Sequence, residues 1–157
     1  MKRSLNFRPQ LNFLEDRVTP VAPVRTPVPS PPEPIVLEDV CPFPVEITFL
    51  TNKQVAKEFS DRDGNLLRTL TTGALKVRVT NLDTGKSLVL NISGPGVTLP
   101  DGTSLNTGAW LYFFTADNTQ GQGPGLIAIH GRIESSPTSF TVLGGHVEDI
   151  CAALAAP

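Results

Sequence analysis

From Cys41 onward the chain alternates apolar and polar residues in short runs separated by turn residues. Val45, Ile47 and Phe49 alternate with Glu46 and Thr48, a period-two pattern that predicts a half-buried strand ending near Asn52. Val55 and Phe59 mark a second, less regular run. Asp61-Arg62-Asp63-Gly64-Asn65 has the composition of a hairpin turn, and Leu66–Thr72 reads as the return strand, stopped by Gly73. The next unit is the most regular. Leu75, Val77 and Val79 face one way, and Lys76, Arg78 and Thr80 the other. A Gly-containing loop over Asn81–Lys86 then leads to Leu88, Leu90 and Ile92 at alternate positions, which predicts a second hairpin.

Beyond Gly94-Pro95-Gly96, Val97–Leu99 predicts a short strand and Pro100–Thr103 a turn. Ala109–Thr115 reads AWLYFFT and predicts a core strand, because it gathers Trp110, Tyr112, Phe113 and Phe114. A Gly/Gln/Asn-rich loop over Asp117–Gly125 precedes a weakly alternating run, Leu126–Ile133. Ser135-Ser136-Pro137 turns the chain into Phe140–Leu143, and Gly144-Gly145 is expected to stop that strand. Val147, Ile150, Cys151 and Leu154 have helical spacing, so a short helix is expected over Val147–Ala155. No strand–helix–strand alternation occurs. The pattern predicts an all-β fold, an antiparallel β-sandwich or barrel of about eight short strands with a short C-terminal helix.

Proline and glycine divide the chain. Eight of the 15 prolines precede residue 41, whereas all 13 glycines lie between Gly64 and Gly145. Three parts are expected: an export-associated segment over residues 1–20, a proline-rich linker over 21–40 and a β-domain over 41–157. Prolines at 23, 27, 29, 31, 32 and 34 exclude a regular helix or a central strand. The linker is expected as an extended polyproline II spacer in a disordered tail.

Thirteen basic and 15 acidic residues leave a net charge of −2, with no dense basic stripe, so nucleic acid is not an expected partner. No apolar run of about 18 residues is present, so no membrane-spanning helix is expected. Lys2 and Arg3 make a charged start, but the apolar stretch of an ordinary secretory signal does not follow.

The two cysteines, Cys41 and Cys151, bracket almost the whole β-domain. A disulfide closing the domain end to end is the simplest reading; two buried free thiols and a reactive pair are the alternatives. Closing a loop of this length is worth about 4–5 kcal/mol by chain-entropy reasoning, and a disulfide would agree with export.

Candidate chemistry is sparse. Asp61, Asp63 and Asn65 place oxygen ligands on alternate residues, as a calcium loop does, but an EF-hand needs Gly and Glu where Leu66 and Thr72 stand. Gly85-Lys86-Ser87 ends like a phosphate-binding loop, yet Thr80 occupies the position of the required earlier glycine. His130 and His146 are the only histidines, and nothing in their spacing predicts a zinc site. No nucleophile–base arrangement is legible. No catalytic residue, metal or cofactor is therefore expected. Asn91-Ile92-Ser93 matches a glycosylation sequon within a strand.

Two resemblances add to this reading. Leu14, Glu15, Arg17 and Pro20 resemble the L-E-x-R-x-x-P N-terminal segment of exported planctomycete proteins, with Asp16 also typical. Cys41-Pro42-Phe43-Pro44-Val45, Val79–Ser87 and Asp149-Ile150-Cys151-Ala152 are similar to segments of uncharacterised exported bacterial β-proteins over most of residues 41–155. The first implies an extracellular or cell-envelope location. The second supports pairing of Cys41 with Cys151 and implies no activity.

The expected function is that of a non-catalytic extracellular or cell-surface module for structure or interaction, not an enzyme, with an unidentified protein or glycan as partner. The alternative is a glycan- or small-ligand-binding domain in which exposed Trp110 and Tyr112 stack on the ligand.

Overall fold

A computed structural model describes residues 21–155. The expected export-associated segment, residues 1–20, lies outside the described residues, as do 156 and 157. Eleven strands and one helix follow in order among the described residues: β1 (Val24–Pro27), β2 (Ile35–Leu37), β3 (Val45–Asn52), β4 (Val55–Ser60), β5 (Leu66–Thr72), β6 (Leu75–Asn81), β7 (Ser87–Asn91), β8 (Gly96–Thr98), β9 (Ser104–Phe114), β10 (Gly125–Ser136), β11 (Ser139–Asp149) and α1 (Ile150–Ala155). They build two antiparallel sheets, a seven-stranded one ordered β1-β4-β5-β8-β9-β10-β11 and a four-stranded one ordered β2-β3-β6-β7. The expected all-β, sandwich-like architecture is thus the observed one.

The hairpins follow the sequence pattern closely. In β6 the residues alternate buried and exposed from Leu75 to Val79, as the apolar and basic positions alternate. The β6–β7 connection closes because Asn81 N–H donates to Lys86 O at 2.8 Å and Gly85 turns at φ 75°. An L side chain rarely adopts that angle, which is why glycine stands there. Asn81 Oδ1 accepts from Asp83 N at 3.0 Å, fixing the start of the loop.

The proline-rich segment departs from a free polyproline II spacer. β1 pairs with β4, with Pro27 opposite Val55, and β2 pairs with β3, with Ile35 opposite Ile47. Both are outermost strands. A proline lacks the N–H that a central strand must donate on both sides, but an edge strand has one side to spare.

The two sheets meet in one principal core. Val45, Ile47, Val77 and Val79 of the four-stranded sheet pack with Leu126 and Ala128 of β10, and Ile150, Leu154 and the two cysteines complete it. The helix starts at Ile150, three residues later than the apolar spacing predicts. Asp149 Oδ1 accepts from Ala152 N at 3.0 Å, which makes Asp149 the N-cap. Val147–Asp149 remain in β11, so Gly144-Gly145 does not stop that strand.

Those glycines instead bend the sheet. Gly108, Gly131 and Gly145 are direct ladder partners across β9, β10 and β11. Gly108 and Gly145 have φ of 82° and 118°, and a Cβ on Gly131 would collide with Gly144 O. A β-bulge follows at once: Arg132 faces Gly144 and Ile133 faces Val142, so Leu143 is the extra residue. This line of glycines and the bulge crease three long strands at mid-length.

Candidate functional site

Two groups of residues were candidates for function: the cysteine pair and the aromatic run of β9. Cys41 and Cys151 are joined, with Cα atoms 5.5 Å apart across a sequence separation of 110. Of the three alternatives open from the sequence, the disulfide is the one observed. It ties the segment between β2 and β3 to the first turn of α1. Cys151 and Cys41 are both buried in the principal core, so the bond is shielded from solvent.

Trp110, Tyr112 and Phe114 leave the face of β9 opposite to Leu111 and Phe113. Strand alternation therefore splits the run. Phe113 is exposed, Phe114 is buried, and Trp110 and Tyr112 are half-buried. Their rings are 6.3 Å apart and tilted by 30°. Trp110 Nε1 donates to Thr107 O at 2.9 Å. The indole lies against the backbone of Gly94 and Gly96, where any Cβ would strike it. Those two glycines explain the Gly94-Pro95-Gly96 sequence as a seat for the tryptophan.

Tyr112 accepts a hydrogen bond from Asn106 Nδ2 at 2.6 Å. Burial pushes the phenol above its ordinary range, and the Asn106 amide offsets this in part by favouring the phenolate. Phe140 meets Tyr112 edge-on at 4.8 Å and Phe114 at 4.9 Å, closing an aromatic cluster. A hollow of about 290 Å³ adjoins the exposed part of Trp110. Polar side chains of Gln54, Thr71, Thr98, Ser104 and Asn106 line it, a chemistry that the sequence did not place near the tryptophan. Thr98 and Ser104, ladder partners on β8 and β9, share a hydrogen bond of 3.0 Å there.

The candidate cation ligands are used otherwise. Asp61 Oδ1 accepts from Asp63 N at 2.9 Å and Asn65 N at 2.8 Å, and Asp61 Oδ2 accepts from Asn65 Nδ2 at 2.9 Å. The Asn65 side chain foremost, then backbone N–H groups, hold the Asp61 carboxyl below its ordinary range. Its charge serves the β4–β5 turn. Asp101 and Asp117 are lowered in the same way, first by Thr103 N–H and by the Thr115 hydroxyl respectively. Among the described residues no three His, Cys, Asp or Glu side chains converge as a metal site. No helix among them is long and apolar enough to cross a membrane.

No protein-family model, curated protein or solved structure significantly matches the chain.

Proposed function

We propose that the chain is a non-catalytic extracellular or cell-surface module, serving structure or interaction, with a protein or glycan as its partner. The observation that carries this reading is the buried Cys41–Cys151 disulfide, which belongs to an oxidising compartment. The turn carboxylates support the non-catalytic part, because Asp61, Asp101 and Asp117 are ionised acceptors held by their own turns rather than raised, proton-donating acids. β11 supports the interaction part. It is an 11-residue outermost strand with Leu143 and Val147 exposed, the kind of edge on which an extended partner segment adds as a further strand.

Surface proteolysis of intact producing cells tests the location. Digestion of the chain by an added protease that leaves cytoplasmic proteins intact is the expected result. Full protection, with the chain released only on lysis, would contradict it.

A second reading is favoured by the hollow beside Trp110, where one aromatic ring stands among five polar side chains. That combination suits a small polar ligand such as a glycan. Trp110 is the only tryptophan, so its fluorescence reports this place alone. A saturable change on titration with oligosaccharides, lost on Asn106→Leu but not on Phe113→Ala, would establish this reading over the first. A flat response across a glycan panel would dismiss it.

A further inference from the structure

We infer that His130 and His146 form a two-imidazole site on the β10–β11 ladder, binding a divalent cation such as Zn²⁺ or Cu²⁺. Sixteen positions separate these histidines in the sequence, and they are the only two in the chain. The ladder makes them direct partners, His130 opposite His146. Side chains directly opposed on antiparallel strands leave the same face, with Cβ atoms about 4.5–5.5 Å apart. Two nitrogens on a tetrahedral zinc stand about 3.3 Å apart, given Zn–N bonds of about 2.0–2.1 Å. Opposed side chains at that spacing bring both imidazoles within reach of one ion.

The surroundings leave the pair accessible. Both histidines are exposed, and among the described residues neither imidazole has a hydrogen bond or ion pair. The neighbouring positions on that face are small: Ala109 stands opposite His130 on β9, Ala128, itself packed in the principal core, lies two residues before it, and Gly144 two before His146. Glu148 opposes Ala128, diagonal to His130, and its charge offsets that of Arg132, diagonal to His146. Imidazole pairs select Zn²⁺, Cu²⁺ or Ni²⁺ over Mg²⁺ and Ca²⁺, which prefer oxygen. Water fills the remaining positions. With both cysteines in the disulfide, no thiolate competes.

Calorimetric titration of the full chain with Zn²⁺ and with Cu²⁺, with Mg²⁺ as control, tests the inference. One equivalent of Zn²⁺ or Cu²⁺ should bind to a monomer, and Mg²⁺ should not. Loss of either ligand removes the chelate, so His130→Gln and His146→Gln should each weaken binding at least about tenfold. The double variant should bind little more weakly than the singles. Both positions are exposed, so the variants should keep the metal-free unfolding midpoint; His130→Ala and His146→Ala serve as second replacements if one does not. Absence of saturable binding in the parent chain, undiminished binding in the double variant, or metal uptake only by cross-linked dimers would overturn the inference.

Discussion

Phe140 lies edge-on to Tyr112 with ring centroids 4.8 Å apart, although the ladder sets them at opposite ends of β10. Tyr112 is level with Ile127 and Phe140 with Ser135, eight residues further along. A straight strand would separate those levels by about 26 Å at the usual rise per residue. The contact therefore requires the strands to fold over, and Gly131, in line with Gly108 and Gly145, stands midway between the two levels. The crease covers Ile129 and Ile133, which are fully buried on the same side of β10 as Trp110.

Gly131→Ala should disrupt this crease, because the new methyl meets the backbone of Gly144 and Gly145. The expected loss is about 2–3 kcal/mol, that of overpacking against atoms that cannot yield. Urea unfolding measures it. Gly123→Ala, which meets open space, should stay within about 0.5 kcal/mol of the parent and controls for the change of residue type. Equal stability of the two variants would refute the crease.

Tyr112 is the only tyrosine, so phenolate absorbance follows it alone. Its native midpoint should lie above that of the urea-unfolded chain, since burial favours the neutral phenol. The folded value is the raised one. Its contribution to stability is therefore complete below the unfolded value of about 10 and is lost as pH rises through the folded value. Asn106→Leu should raise the native midpoint further by removing the Asn106 donor. Coincident native and unfolded curves would show that the ring is open to water.

Asn81 is the buried link between the β6–β7 loop and the end of α1. Its Oδ1 accepts from Asp83 N at 3.0 Å, and its Nδ2 donates to Leu154 O at 3.4 Å. Asn81→Ala should cost about 1–3 kcal/mol, the range for leaving buried partners unsatisfied. Thermal unfolding checks the loss, and hydrogen exchange should localise it to the loop and α1. A variant as stable as the parent would show that neither contact matters.

The sequence carried the hairpins because their cues are local. Alternation in Leu75–Val79, the Asp63-Gly64 turn and the glycine at 85 each act within a few residues. Non-local features were not legible. Gly144-Gly145 has the composition of a strand end, and only its neighbours Gly131 and Gly108 on adjacent strands make it a bend. Pro27 of β1 is compatible with a strand only at a sheet edge, a property of strand order rather than of composition. Trp110 and Tyr112 read as part of a core strand or, in the alternative, as rings that stack on a ligand, and their seating against Gly94, Gly96 and Phe140 depends on the fold. The opposition of His130 and His146 is likewise a matter of register.

The Cys41–Cys151 disulfide closes the domain, and the proposed extracellular role rests on that bond forming in an oxidising compartment. Its most direct test is the state of the two cysteines in chain recovered from its own cells by denaturation in alkylating reagent without reductant. No alkylated cysteine is expected, and a single proteolytic product should join the Cys41 and Cys151 peptides. Reduction of that material should then lower stability by up to about 4–5 kcal/mol. Alkylation of both cysteines before any reductant is added would show that the bond does not form in the cell and would overturn the proposed location.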